Sequence, residues 1–160
     1  MEVSVTTTQK PIKSTLKIDN EKTCDCKTNH INCLTGKEWT RNQVAIWEFY
    51  YEKRDIRNKD IHPASFPISL PRKCIELFTH SGELVIDPFM GIGSTLLAAR
   101  DTDRNAVGFD LNKNYVDVSI TRLDESQPLN LYNTQQVPIC DDALNIPKYF
   151  DNETVSLSVT

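Results

Sequence analysis

The sequence lacks a hydrophobic run long enough to cross a bilayer, and its first residues do not follow the pattern of a signal peptide. It also lacks a regular cysteine framework, because its five cysteines are irregularly placed and two of them, Cys74 and Cys140, fall within the predicted α/β part. A membrane protein and a disulfide-stabilised secreted protein are therefore not expected. The simplest compartment for such a chain is the reducing cytoplasm.

The sequence also lacks an excess of positive charge. It contains 18 basic and 22 acidic residues, and the formal net charge is −4. A chain that holds duplex DNA unaided usually neutralises phosphates with many basic side chains. The one basic concentration comprises Lys53, Arg54, Arg57 and Lys59, with Arg41 shortly before it. It is either a solvated face or a phosphate-binding track. If the protein acts on DNA, we expect much of the affinity to come from elsewhere.

The 160 residues, of which 39% are hydrophobic and 25% charged, suffice for one soluble domain with a core. No internal repeat is visible. The expected division is a flexible N-terminal tail over residues 1–33, which carries a Cys/His cluster, and a folded domain over residues 34–160. Residues 1–22 are rich in Thr, Ser and Lys and show no apolar periodicity, which is typical of a flexible segment.

A strand, a glycine-bearing turn and a helix follow one another in the middle of the chain. The short apolar run 84–86 predicts a buried parallel strand, and a helix is predicted to begin at Leu96, with Ser94 and Thr95 as N-cap candidates. Such a unit brings backbone N–H groups and a helix N-terminus to the carboxyl end of a sheet, where nucleotide-type ligands bind. The turn contains, in order, Asp87, Pro88, Phe89, Gly91 and Gly93.

This turn is unlike a phosphate-binding loop. It lacks the Gly-Lys-Ser/Thr ending, and Asp87 would repel a pyrophosphate. A carboxylate there suits a ligand with a cationic or hydroxyl-rich part. The next strand is predicted over residues 105–109, and Asp110 follows it at about the 20-residue spacing of a ribose-binding acid. A nucleoside-type ligand is favoured over a glycine-rich turn that binds no nucleoside.

Two linked motifs resemble those of a known family. Asp87-Pro-Phe-Met-Gly-Ile-Gly-Ser-Thr95 resembles the Asp-Pro-Phe-x-Gly-x-Gly-[Ser/Thr]-Thr signature of the amino-group DNA methyltransferases, which methylate adenine N6 or cytosine N4. Upstream, His62-Pro-Ala-Ser-Phe-Pro67 resembles the family's His-Pro-x-x-Phe-Pro element. Downstream, residues 104–112 are similar to the family's second strand. The resemblance covers roughly residues 34–160.

The resemblance implies a doubly wound, Rossmann-like α/β fold, here partial, with four parallel strands in the order 3-2-1-4 and helices on both faces. It implies S-adenosyl-L-methionine as cofactor and double-stranded DNA as substrate, as in restriction-modification systems. In the family the His-Pro strap lies against the methionine portion, the acid after the second strand at the ribose, and the acid after the third strand at the adenine amino group. His62 is expected to hold the strap in place. The implied cofactor-binding residues are Ala64, Ser65, Phe66, Asp87, Pro88, Phe89, Gly91, Gly93, Ser94, Thr95, Asp110, Leu111 and Asp141.

Periodicity predicts the remaining elements. Helices are expected over residues 70–79 and 113–123, a loop over 124–136, a third strand over 137–140 and a fourth over 153–160. A further helix is predicted over residues 42–51, with its apolar face packed on the sheet. That face comprises Val44, Ile46, Trp47, Tyr50 and Tyr51.

The family's catalytic motif, [Asp/Asn/Ser]-Pro-Pro-[Tyr/Phe], accepts hydrogen bonds from the target amino group and stacks on a flipped base. No Pro-Pro dipeptide occurs in the sequence. The chain is therefore expected to hold the cofactor half and no catalytic residue, either because a second polypeptide supplies the motif or because the chain is a truncated product. The strand at 155–160 slightly favours cytosine N4 over adenine N6. The alternatives are a non-catalytic cofactor-binding module and a methyltransferase for RNA, protein or a small molecule.

Cys24, Cys26, His30 and Cys33 are soft ligands of the kind that zinc takes. Their spacing is unusual, because a Cys-x-Cys start is less common than Cys-x2-Cys and one ten-residue stretch must supply every ligand. Free thiols in a mobile segment are the favoured interpretation, and zinc at these four residues is the alternative.

Overall fold

Four short strands form one parallel sheet in the computed structural model, which describes residues 16–27, 30–57, 60–62, 64–125 and 134–160. No helix in these ranges combines the length and apolar character needed to cross a membrane. The strands are β1 (Leu84–Asp87), β2 (Asn105–Asp110), β3 (Gln136–Cys140) and β4 (Leu157–Ser158). The helices are α1 (Gly36–Asn42), α2 (Lys53–Ile56), α3 (Ser69–Phe78), α4 (Ser94–Asp101), α5 (Lys113–Glu125) and a 3₁₀ helix (Ala143–Lys148).

The strand order is β3-β2-β1-β4 and every neighbouring pair is parallel, so the predicted order 3-2-1-4 is confirmed. In the register of the sheet Asp87 pairs with Gly108, and Asp110 pairs with Cys140. Because parallel strands end at the same edge, the residues that follow β1, β2 and β3 converge there. This edge is called the carboxyl edge below.

The two faces of the sheet are covered differently. On one face β1 and β2 contribute Val85 and Ala106 to a core that also contains Ile75, Leu96 and Val116 from α3, α4 and α5. On the other face Leu84, Ile86, Val107 and Phe109 pack against residues 16–18 and the region of the 3₁₀ helix. The alternation follows from the two-residue period of a strand. Helices therefore lie on both faces, as predicted, but among the described residues the second face is covered by the short 3₁₀ helix and irregular segments.

The predicted helix over residues 42–51 is wrong. The Thr35–Glu38 capping box begins α1 at Gly36, and α1 ends at Asn42, where the prediction placed the start of a helix. Residues 43–52 have no regular structure, and Ile46 and Tyr50 are 79% and 76% exposed. The aromatic side chain of Trp47 contacts the surface of α3, with Lys73 Nζ 4.7 Å from its ring centroid. The apolar side chains of this segment therefore lie at the surface and do not form a buried helical face.

Part of the segment that the sequence assigned to the N-terminal tail lies against the sheet. Residues 1–15 lie outside the described part of the chain, whereas Leu16 and Ile18 pack against the sheet and Asn20 Oδ1 accepts a 2.6 Å hydrogen bond from the Leu84 amide. These apolar side chains help to cover the face of the sheet that carries Phe109. Leu16, Ile18 and Asn20 thus contact the sheet, although the prediction placed them in the tail.

Smaller differences concern the ends of elements. The N-cap of α4 is Gly93, and not Ser94 or Thr95 as predicted. Gly93 has a φ of +79°, a left-handed conformation that glycine adopts without steric cost. The fourth strand is restricted to Leu157–Ser158. Helix α5 extends two residues beyond the prediction, to Glu125, and most of the predicted loop that follows lies outside the described residues.

Replacement of Gly93 by alanine tests the packing beneath the turn. A Cβ at this position would lie 2.5 Å from Ser119 Oγ of α5, in addition to the cost of a positive φ. We expect Gly93→Ala to lower the free energy of unfolding by about 2–4 kcal/mol in urea titrations. Gly36→Ala is the matched control, since a Cβ at Gly36 would have no atom within 4 Å. Equal stabilities of the two variants would contradict this account.

Candidate functional site at the carboxyl edge

Two backbone amides of the glycine turn donate hydrogen bonds to the end of β2. The Met90 amide donates to the Phe109 carbonyl at 2.9 Å, and the Gly91 amide donates to Asp110 Oδ2 at 3.0 Å. Gly91 has a φ of +52°, and a Cβ there would lie 3.0 Å from His62 Nε2. The absence of a side chain thus allows the His62 ring to lie against the turn.

His62 connects the His-Pro strap to the turn and to α5. Its ring makes an edge-to-face contact with Tyr115, with centroids 4.6 Å apart. The strap continues through Ser65, whose carbonyl accepts a 3.0 Å hydrogen bond from the Tyr51 hydroxyl. These contacts agree with a positioning role for His62. Pro63 lies outside the described residues.

Asp87 lies beneath the turn and is only 1% exposed. Its Oδ1 accepts a 3.0 Å hydrogen bond from the Phe89 amide, which shapes the start of the turn. Neither Asp87 Oδ2 nor Thr95 Oγ1 makes a hydrogen bond of ordinary geometry with a described residue. Burial raises the pKa of Asp87 to about 6, against smaller lowering effects of the Thr95 hydroxyl and the Phe89 amide. The chain therefore keeps a buried carboxylate that the Thr95 hydroxyl and the Phe89 amide stabilise only in part.

Asp110 is held in one orientation by two backbone amides. While Oδ2 accepts from Gly91, Oδ1 accepts from the Asn112 amide at 2.8 Å. Each oxygen of an ionised carboxylate has two acceptor positions, so both oxygens can accept a further hydrogen bond. Its neighbour Leu111 is 73% exposed.

Asp141 is fixed by the 3₁₀ helix that follows it. Its Oδ1 accepts from the Asp142 amide and from Asn145 Nδ2, while Oδ2 accepts from the Tyr149 hydroxyl at 2.7 Å. These hydrogen bonds, that from Asn145 foremost and then that from Tyr149, lower the pKa of Asp141. Of about four acceptor positions on a carboxylate, one on Oδ2 remains open.

A cavity of about 130 Å³ lies between the ends of β1, β2 and β3. The structure thus brings together five of the predicted site residues and two neighbours from the start of the 3₁₀ helix. Its lining comprises Pro88, Phe89, Asp110, Leu111, Asp141, Asp142 and Ala143. The remaining predicted residues do not line this cavity and belong to the strap, the end of β1, the turn and the start of α4: Ala64, Ser65, Phe66, Asp87, Gly91, Gly93, Ser94 and Thr95.

Two supporting residues were missed from the sequence. Arg122 Nη1 donates to the Ile92 carbonyl at 2.6 Å and so holds the glycine turn from the side of α5. Burial lowers the pKa of this guanidinium, and the nearby Asp55 carboxylate offsets part of that effect. Asp55 itself accepts from the Ile68 amide at the start of α3. An arginine on the buried face of α5, in line with Val116 and Ser119, was the available signal.

Comparison with known proteins decides the family. A family model described as DNA methylase, covering N6 and N4 methyltransferases, matches residues 3–121. The chain belongs to this family.

Curated relatives within the family include type II methyltransferases. M.HpaI of Haemophilus parainfluenzae is 28% identical over 117 residues, which are 73% of this chain and 36% of that protein. M.Cfr9I of Citrobacter freundii is 44% identical over 86 residues, 52% of this chain and 26% of that protein. The chain thus spans about a third or less of the length of these relatives.

Among solved structures, the M1.HpyAVI–SAM complex is 37% identical over the aligned part, which covers 39% of this chain and 31% of that chain, with a TM-score of 0.38. A rRNA methylase from Streptococcus thermophilus is 17% identical and covers 61% of this chain and 55% of that chain, with a TM-score of 0.48.

The raised pKa of Asp87 predicts a pH-dependent cost of folding. Between the ordinary pKa of 3.8 and the folded pKa of about 6, the unfolded chain releases a proton that the folded chain retains, so stability falls as the pH rises. Asp87→Asn should therefore raise the free energy of unfolding at pH 7.5 by about 1–3 kcal/mol. The gain should shrink as the pH falls from about 6 towards 4 in a series of urea titrations. A destabilised variant at pH 7.5 would refute the assignment.

Proposed function

We propose that this chain is the S-adenosylmethionine-binding half of a site-specific DNA methyltransferase that modifies an exocyclic amino group, N4 of cytosine or N6 of adenine. The observation that carries the proposal is the cavity at the carboxyl edge, where Asp110, Leu111 and Asp141 meet the Asp-Pro-Phe turn. Membership in the DNA methylase family supports the reaction class. Restriction-modification in the cytoplasm is the proposed setting.

The ribose is assigned to Asp110. Its two oxygens are oriented by the Gly91 and Asn112 amides, and each keeps an acceptor position for a hydroxyl donor. A carboxylate can accept hydrogen bonds from two neighbouring ribose hydroxyls. In dinucleotide-binding folds an acid after the second strand has this role.

The adenine is assigned to the part of the cavity between Leu111, Phe89 and Asp141. Leu111 and Phe89 are 73% and 71% exposed, and such apolar side chains can be covered by a flat ring. Asp141 is held ionised by its hydrogen bonds and retains an acceptor position on Oδ2 for the adenine amino group. Asp110 and Asp141 thus receive different parts of one ligand.

The methionine portion is assigned to the strap and the turn. Asp87 supplies a buried carboxylate, which suits a cationic group. The proposed neighbours are Pro88, the backbone of Gly91 and Gly93, the start of α4 at Ser94 and Thr95, and the strap residues Ala64, Ser65 and Phe66.

The chain's own contribution to methyl transfer is positioning. When bound, the cofactor would supply an electrophilic methyl group on a sulfonium. Residues at the carboxyl edge would orient it for in-line attack by the amino group, which is how such sites gain rate. The acceptors for the target amino group lie in the Pro-Pro motif, which the 160 residues lack. We propose that this motif and the target-recognition region come from further sequence or a second polypeptide, and that the chain alone is inactive.

Most of the affinity for double-stranded DNA is also assigned to the target-recognition region. Within the basic group, Arg54 Nη1 lies 2.6 Å from Asp101 and Arg57 Nη1 lies 2.8 Å from Glu125. Guanidinium groups engaged with carboxylates are less available to phosphates. The solvated-face interpretation of this group is therefore favoured.

Asp110→Asn tests the cofactor assignment. Asparagine keeps one acceptor and removes the charge, so we expect S-adenosylmethionine affinity to fall by about 1–3 kcal/mol, the scale of hydrogen bonds to charged groups. Calorimetric titration of the unaltered chain and the variant measures the difference. Asp117→Asn, an exposed acid on α5 that pairs with Lys113, makes the same charge change away from the site. Equal affinities of the two variants would remove Asp110 from the binding site.

A further inference from the structure

Four potential metal ligands converge near the amino end of β1. The sulfur atoms of Cys24, Cys26 and Cys33 and a ring nitrogen of His80 all lie within 4.8 Å of one another. The cysteines come from the N-terminal segment, whereas His80 belongs to the connection between α3 and β1. His30, which the sequence suggested as the fourth ligand, is not in the group.

The ring of His80 is held with one nitrogen directed to the sulfurs. Its Nε2 lies 2.7 Å from the His30 carbonyl oxygen, which can only accept, so Nε2 carries the proton. Nδ1 therefore presents its lone pair, 3.3 Å from Cys24 Sγ and 3.6 Å from Cys33 Sγ. A remote N–H donated to a backbone carbonyl is the usual support of a metal-bound histidine. His30 thus contributes its carbonyl to the site instead of its ring.

The distances fit a tetrahedral ion. Zinc bonds of about 2.3 Å to sulfur and about 2.0–2.1 Å to nitrogen place the two kinds of ligand atom about 3.5 Å apart. The observed nitrogen–sulfur separations of 3.3 and 3.6 Å lie on either side of that value. A disulfide would instead leave an odd thiol and an unused imidazole lone pair in a site where His80 is only 5% exposed.

We infer that the chain binds a zinc ion through Cys24, Cys26, Cys33 and His80. Three thiolates and an imidazole complete the coordination of zinc and leave no position for a substrate, which is typical of a structural site. Binding releases the thiol protons and links metal affinity to folding.

The surroundings support a structural role. The Ser81 amide donates to Cys33 Sγ at 3.4 Å, and the Arg104 guanidinium, which lies 3.4 Å from Ser81 Oγ, brings positive charge towards a site whose net charge with zinc would be −1. Asn32 Nδ2 donates to the Leu77 carbonyl at the end of α3 at 2.7 Å. The ion would therefore fasten the N-terminal segment to α3 and β1, at the opposite end of β1 from Asp87.

Zinc content of the purified chain tests the inference. After dialysis against metal-free buffer, elemental analysis should find about one zinc per chain. His80→Ala and Cys26→Ser should reduce the content to near zero. His30→Ala should retain the metal, because only the backbone carbonyl of that residue is used. Cys74→Ser and Cys140→Ser, the two cysteines outside the group, are the matched controls and should also retain it.

Cobalt substitution tests the same ligand set in the unaltered chain, so its result does not depend on whether the variants fold. Co²⁺ added to the metal-free chain should give the charge-transfer absorption of thiolate ligation and the intense visible bands of a tetrahedral ion. Absence of these bands together with absence of zinc would overturn the inference, as would a disulfide among the three cysteines. Loss of zinc in His30→Ala with retention in His80→Ala would also overturn this ligand set.

Discussion

The hydrogen bond from the Gly91 amide to Asp110 Oδ2 is the interaction on which the site depends. It joins the turn after β1 to the acid after β2, so the two strand ends form one surface. Parallel pairing of β1 with β2 places them side by side, and Arg122 holds the turn from α5. Without a side chain at Gly91, the His-Pro strap can lie against the same turn through His62. The turn thus contacts β2, α5 and the strap, three segments that are distant in sequence.

Asp87 carries a cost in stability that the proposed cofactor site would explain. Burial of its carboxylate raises the pKa and opposes folding at neutral pH. The proposed zinc ion would offset part of that cost at the other end of β1, because a structural metal contributes folding free energy. On this account the amino end of the sheet supplies stability and the carboxyl edge supplies the ligand site.

Much of this could be predicted because the relevant signals are local. Apolar runs identify β1 and β2, and acids directly after strands must meet at the carboxyl edge of a parallel sheet. The prediction of a helix over residues 42–51 was wrong because periodicity does not reveal whether the rest of the fold offers a surface against which the apolar face can pack. The proposed role of His80 as a zinc ligand could not be predicted. His80 lies 47 residues after Cys33, and only the tertiary structure brings them together. Arg122 was visible only as a charge on an apolar helical face.

An NMR titration of the isotope-labelled chain with S-adenosylmethionine tests the central claim most directly, because it locates a ligand without relying on a variant. We predict saturable shifts of the amide signals of Gly91, Leu111, Asp141 and Asp142, while signals around His80 remain unchanged. ATP and NAD at the same concentration should not reproduce the pattern. No shifts at all, or shifts centred on the cavity formed by residues 146–155, would contradict a cofactor site at the carboxyl edge.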